Sequence, residues 1–266
     1  MISAQFEYIK ATSIDHAVSL LSEHGYDAKV ISGGHSLVPA MKLRLNRPAV
    51  LVDIGSLSEM NQITDDGDGV TVGANCTHKM IHTSTVVNNH VDVLSAAAGV
   101  IGDIQVRNRG TIGGSLAHAD PASDYPAVIL ATDATIIVQG SGGKRSIPAQ
   151  DFFQGIYTTA LEDDEIILAV KFPKCHGVYK KFFQSASRFA VVGCAAVQRG
   201  DKVSVGITGV SDTPYRASAV EAAYDGTTSA AEHAVQGVDV MGDHFASEEY
   251  RSHLAKVFVR KALEAL

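Results

Sequence analysis

The sequence predicts an α+β fold in two unequal units, and three observations carry that reading. Before about residue 164, short β-prone runs alternate with helical patterns. From there several runs of antiparallel-strand length follow one another. Helical patterns then close the chain, so the second part places strands before helices while the first mixes them. The expected division is 1–174 and 175–266.

In order, Phe6 to Ile9 reads as a short strand. Ser13 is an N-cap candidate, Ala17, Leu20 and Leu21 share a helical face and Gly25 is a stop, which predicts a helix over 13–24. Ala28 to Ile31 reads as a buried strand, and Leu37 to Leu45 as a short helix opening at Ser36. Pro48 breaks that pattern, and Val50 to Ile54 is a further strand carrying Asp53. Turn residues at Asp65 to Gly69 make Asn61 to Ala74 a hairpin. His78 to Val87, Val91 to Val100 and Ala127 to Leu130 have helical periodicity. Ala134 to Val138 and Arg145 to Ile147 flank a Gly-rich turn, a second hairpin. Strands are expected at Glu165 to Phe172, Val178 to Phe183, Phe189 to Gln198 and Val203 to Val210. Helices are expected at Ala217 to Ala223, Ala230 to Gln236 and Glu248 to Leu263.

The bulk composition excludes several classes. With 45% hydrophobic and 19% charged residues the chain has the make-up of a folded protein, not a disordered one. A formal net charge of −7 leaves no electrostatic footprint for nucleic acid or an anionic membrane surface. MISAQFEYIKATS lacks the basic start and apolar core of a signal peptide, and no apolar run is long enough for membrane insertion. A cytoplasmic location is therefore expected. Cys76, Cys175 and Cys194 are far apart, which argues against a disulfide framework, a structural zinc or a cluster held by this chain alone. They read as small hydrophobes.

Two glycine motifs carry the chemistry. The first is Ser32-Gly33-Gly34-His35-Ser36, directly after a strand; the second, RNRGTIGGSLAHADPASDYPA over 107–127, sets Gly113 and Gly114 between Thr111 and Ser115. Glycine pairs between hydroxyls suit a backbone that lends N–H groups to an anion, and two such loops match the two phosphates of a dinucleotide. The spacings of a Rossmann fingerprint, a Walker loop and a nucleophile elbow are all missing. His78 and His82, four apart, have no acid in a known metal-ligand pattern beside them, and His118 with Asp120 reads as a hydrogen-bonded loop beside a ligand. A chain with phosphate loops and no evident acid–base pair fits a protein that leaves the chemistry to a cofactor.

SGGHSLVPAMKLRLNRPAVLVDI (32–54) and the 107–127 stretch together resemble the two signatures of the FAD-binding subunit of molybdenum hydroxylases, in particular the medium chain of the aerobic carbon monoxide dehydrogenase type. DFFQGIYTTALEDDEIILAVKFP (151–173) and YKKFFQSASRFAVVGCA (179–195) extend the resemblance, which thins after about residue 210. It implies an FAD-binding region of two α/β subdomains, of the vanillyl-alcohol-oxidase-like type, followed by a small C-terminal domain of antiparallel sheet plus helices. FAD would lie between them. Lys29, Val30, Ile31, Ser32, Gly33, Gly34, His35 and Ser36 would supply the first phosphate loop, and Thr111, Ile112, Gly113, Gly114 and Ser115 the second. Asp124 would hydrogen-bond the adenosine half. Ile101, Leu168 and Lys181 would line the flavin and adenine regions, with Lys181 placing positive charge near the ring edge. Ser187 and Arg188 stand where many relatives carry a Gly-Asp pair, and Tyr157 is a further residue that can approach the ring.

The implied activity is that of an oxidoreductase subunit without catalytic residues of its own. It would relay electrons from a small [2Fe–2S] subunit to an external acceptor, while a large subunit holds the molybdopterin-type molybdenum cofactor; a dimer of heterotrimers is implied. Two alternatives stay open on the residues: a stand-alone FAD-dependent oxidase or reductase, with His35 or His118 as covalent attachment points, and a non-catalytic scaffold.

Overall fold

Ser13 begins the first helix. In the computed structural model, which describes residues 2–266, its hydroxyl accepts the His16 amide at 3.0 Å. Helix α1 (Ile14–His24) then buries Ala17, Val18, Leu20 and Leu21 against a three-stranded parallel sheet. The strands are β1 (Glu7–Lys10), β2 (Ala28–Ile31) and β3 (Val50–Asp53), in the order β1-β3-β2. Only Ala28 of β2 is buried, because β2 is an edge strand; its apolar sequence had predicted a buried one. From β2 the chain turns through 32–36 into α2 (Leu37–Lys42).

The next sheet is five-stranded and antiparallel. Two hairpins, β4 (Ile63–Asp65) with β5 (Gly69–Gly73) and β6 (Thr135–Gly140) with β7 (Gly143–Pro148), stand where the turn residues place them. A small pair, β8 (Phe153–Gly155) and β9 (Thr158–Thr159), precedes β10 (Ile166–Pro173). β10 fills the gap between the hairpins, giving β4-β5-β10-β6-β7. It is the central strand of this sheet and pairs with β5 and β6, not with the strands that follow it in sequence.

Between the hairpins lie six helices: α3 (His78–Thr83), α4 (Thr85–His90), α5 (Asp92–Val100), α6 (Ile104–Arg109), α7 (Ile112–His118) and α8 (Tyr125–Ala131). The expected helix over 78–87 is two, because Ser84 is extended and its hydroxyl caps the second at the Val87 amide, 3.2 Å away. The 107–127 stretch, read as loop, is largely helical.

The last sheet is antiparallel, β11 (Gly177–Phe183), β12 (Ala190–Arg199), β13 (Lys202–Thr208) and β14 (Tyr215–Arg216), in sequence order. Helix α9 (Ser218–Ala223) follows, then a 3-10 turn Thr228–His233 in place of the expected helix over 230–236, then α10 (Glu248–Leu263) capped by Ser247. α10 packs on β11 and β12, while α5 and α8 pack on this sheet as well as on the first unit. β12 therefore has two dry faces: Ala195 and Val197 join the first core, Val192, Cys194 and Ala196 the second. That explains its unbroken apolar run. All three cysteines are buried, and burial pushes their thiols up, Cys194 to about 12. They pack as hydrophobes.

Candidate cofactor site

In open parallel sheets ligands sit beyond the carboxyl ends of the strands. Here β2 and β3 both end in short polar turns. The Ser32 hydroxyl donates to Asn75 Oδ1 at 2.7 Å, and Asn75 Nδ2 donates to the Ile54 carbonyl at 2.7 Å. Buried Asn75 thus ties both strand ends to the end of β5. Sequence reasoning missed it; a lone Asn after a strand gives no period or motif to read.

Each glycine of the first loop has a definite task. Gly34 is left-handed at φ +71°, a conformation other residues adopt rarely. A Cβ on Gly33 would strike the Arg109 carbonyl oxygen and stand 2.9 Å from the Gly110 Cα, so this glycine seats the loop against the second motif. Among the described residues, the backbone N–H groups of Gly33, Gly34, His35 and Ser36 have no hydrogen-bond partner. Gly33 and Gly34 are half-buried. The amides of Gly33 and Gly34 are partly shielded from water and those of His35 and Ser36 are open to it, and a row of four free N–H groups suits an anion. His35 is exposed, with Nδ1 at 3.0 Å from the Gly33 carbonyl oxygen. Lys29, Val30 and Ile31, expected in this loop, belong to the strand that delivers it; the Lys29 ammonium lies 5.5 Å from the Tyr26 ring centroid.

The second motif differs from expectation. Thr111 is the N-cap of α7, its hydroxyl accepting the Gly114 amide at 3.2 Å. The amides of Ile112, Gly113 and Ser115 go to the Cys76, Ala74 and Thr111 carbonyls at 3.1, 2.9 and 3.0 Å. The helix start is docked on residues 74–76, and these amides have partners within the chain. Ile112 and Gly113 are buried, Gly114 is exposed, and the hydroxyl of half-buried Ser115 lies 3.4 Å from that of Ser123. Leu168 is buried too, its carbonyl accepting the Ala74 amide at 2.9 Å.

Asp124 has partners within the chain. It is 4% exposed, and both carboxylate oxygens are engaged: Lys181 Nζ lies 2.8 Å from Oδ1 and 2.9 Å from Oδ2, and the Tyr179 hydroxyl donates at 2.6 Å. Burial pushes its carboxyl up, while Lys181 and Tyr179 pull it the other way. The carboxylate that the resemblance assigns to the adenosine half forms an internal ion pair joining the start of α8 to β11. Lys181 also donates to the Val100 carbonyl at 3.3 Å, beside Ile101, so Ile101, Asp124 and Lys181 are brought together. The Ile101 and Gly102 carbonyls each accept from Arg107 at 3.0 Å. On the same face of β11 as Lys181 is exposed Phe183, with the Arg188 guanidinium 5.8 Å from its centroid.

The histidines have internal partners. His78 Nδ1 is 3.0 Å from the Tyr125 hydroxyl and His82 Nδ1 3.0 Å from the Ser95 carbonyl. His118 packs on Tyr157 with centroids 5.1 Å apart, and burial pushes its imidazole down. Tyr157 reaches Asp120 at 3.4 Å. Among the described residues no group of three or more His, Cys, Asp or Glu is placed to hold a metal.

Residues 4–175 match the sequence family described as the FAD binding domain in molybdopterin dehydrogenase, and 177–266 match the CO dehydrogenase flavoprotein C-terminal domain. The chain belongs to the FAD-binding subunits of the molybdenum hydroxylases. Within that family it is 36% identical to the carbon monoxide dehydrogenase medium chain of Hydrogenophaga pseudoflava, covering 100% of this chain and 98% of that one. It is 34% identical to the glyceraldehyde dehydrogenase medium chain of Sulfolobus acidocaldarius, covering 99% of each. Its fold is similar to that of the solved Hydrogenophaga pseudoflava carbon monoxide dehydrogenase, with a TM-score of 0.95 and coverage of 100% and 98%. Quinoline 2-oxidoreductase from Pseudomonas putida 86 is similar at a TM-score of 0.93 and 30% identity, with coverage of 100% and 98%.

As a molybdenum-hydroxylase flavoprotein the chain is an oxidoreductase subunit, and FAD is its cofactor. The residues present fit that group: the unpaired amides of Gly33 to Ser36 suit a pyrophosphate. When bound, FAD supplies the electron-transfer chemistry, and the chain supplies binding, orientation and electrostatics. No described helix is long and apolar enough to cross a membrane.

Proposed function

We propose that the chain, divided into 1–174 and 175–266, is the flavoprotein link between a small [2Fe–2S] subunit and an external electron acceptor in a cytoplasmic enzyme. In this reading a large subunit with a molybdopterin-type cofactor oxidises the substrate, and two heterotrimers assemble. Gly33 to Ser36 hold the pyrophosphate by their amides, with the Ser115 hydroxyl opposite. Ile101 and the Lys181–Asp124 ion pair would border the ring.

The observation that carries the proposal is the row of four unpaired amides pressed by Gly33 onto Arg109 and Gly110. The division of labour is supported by the chain's chemistry. Its cysteines are buried singly, and it is similar over its full length to proteins named as medium chains. Co-expression with the neighbouring reading frames, followed by purification and a visible spectrum, tests it. Acid-releasable FAD with [2Fe–2S] absorption and co-purifying molybdenum is the expected result. Flavin with its own turnover on this chain alone overturns it.

A further inference from the structure

We infer that His78, backed by Tyr125, is the positioning residue of the phosphate loop, fixing where the Arg109–Gly110 backbone lies and so where the Gly33–Ser36 amides point. The inference rests on the cofactor reading above.

The geometry is a stack. Gly33 lies against Gly110 on one side, where a Cβ would come within 2.9 Å of the Gly110 Cα. The His78 imidazole lies on another: a Cβ added to Gly110 would stand 2.6 Å from His78 Nε2 and 3.0 Å from its Cδ2. Gly110 is held further by its own backbone, its carbonyl accepting the His78 amide at 3.0 Å and its amide donating to the Val106 carbonyl at 2.7 Å. Gly110 has φ −60° and ψ 139°, so alanine suits the backbone there. The imidazole is the nearest obstacle to a side chain there, with the Val106 carbonyl oxygen next at 3.1 Å.

His78 is itself only 4% exposed and cannot swing aside. Its Nδ1 lies 3.0 Å from the Tyr125 hydroxyl, a hydrogen bond that fixes the orientation of the ring. Tyr125 is fully buried and packs on the imidazole with centroids 5.3 Å apart. An ordinary core histidine needs only such a partner. This one also sets the thickness of the layer between the α3 helix and the glycine loop. Tyr125 follows Asp124, whose carboxylate holds Lys181 and Tyr179. Two adjacent residues therefore fix both the loop and the Lys181 end of the site.

The test is FAD affinity, from flavin fluorescence titration of the purified full-length apo chain, alongside urea unfolding of each apo variant. Gly110→Ala is expected to weaken binding by at least about tenfold. Adding His78→Ala to that variant makes room for the new methyl group and should recover most of the loss, although His78→Ala alone weakens binding by about threefold. That reversal is one a general loss of stability does not produce. If Gly110→Ala does not fold, His78→Asn, which retains an acceptor for Tyr125, should bind within about threefold of the wild type while His78→Leu binds at least about tenfold worse. Gly110→Ala binding like the wild type, a double variant no better than Gly110→Ala, or His78→Asn and His78→Leu binding alike overturns the inference. A wild-type chain that binds no FAD instead overturns the cofactor reading beneath it.

Discussion

Burial, then the charges of His35 and Arg107, pushes the His78 imidazole down to about 4. An unfolded histidine titrates near 6.5, so in this interval the unfolded chain binds a proton that the folded chain refuses. The associated stability is fully present above about pH 6.5 and is lost as pH falls towards 4, an effect of about 3 kcal/mol. Urea midpoints measured across that range should fall for the wild type and fall less for His78→Gln. The Asp124–Lys181 pair makes a second prediction. Lys181→Met leaves a buried carboxylate without its cation and should cost about 3–5 kcal/mol in urea unfolding, while Asp124→Asn added to it restores part of the loss. Neither role was legible in the sequence. Tyr179 and Lys181 lie 55 and 57 positions from Asp124, and no local pattern encodes a contact that distant. The Ser13 cap was legible, because it acts within its own helix, whereas Thr111 was read as part of a loop and not as a cap.

Elements are where local signals met tertiary packing. The hairpin at 61–74 and helix α10 follow from turn residues and periodicity, which are properties of the segment itself. β10 does not: its apolar run marks a strand, yet only the two hairpins either side decide where it pairs. The second glycine motif was read as loop and is a helix start, because a Gly-Gly pair behind a capping Thr is equally compatible with either. Helix α8 shows how the last sheet is fixed to the first unit. Its terminal carbonyls at Leu130 and Ala131 accept from Arg216 at 3.1 Å and Arg199 at 3.3 Å, and Asp133 pairs with both arginines. Arg216 also holds Glu221 and the Ser204 hydroxyl. Arg216→Ala strands several of these partners and should lower unfolding free energy by about 2–3 kcal/mol, measured by urea denaturation.

Across the whole molecule, two cores share β12, and α5 and α8 lie between them. The phosphate loop belongs to the parallel sheet, its seat to the α6–α7 turn, and the Lys181 end to the last sheet. A ligand spanning these places draws on all three layers. The sequence conveyed the two glycine motifs and the change of character along the chain. It did not convey that Gly33 and Gly110 touch, since that contact exists only once the sheet and helices are assembled. The most direct measurement is a titration of FAD into the purified apo chain, wild type beside Gly33→Ala. The account predicts one FAD per wild-type chain and binding at least about tenfold weaker in the variant, whose new methyl group drives the loop off Arg109. Absence of binding by the wild type, or equal affinity in the two, would contradict it.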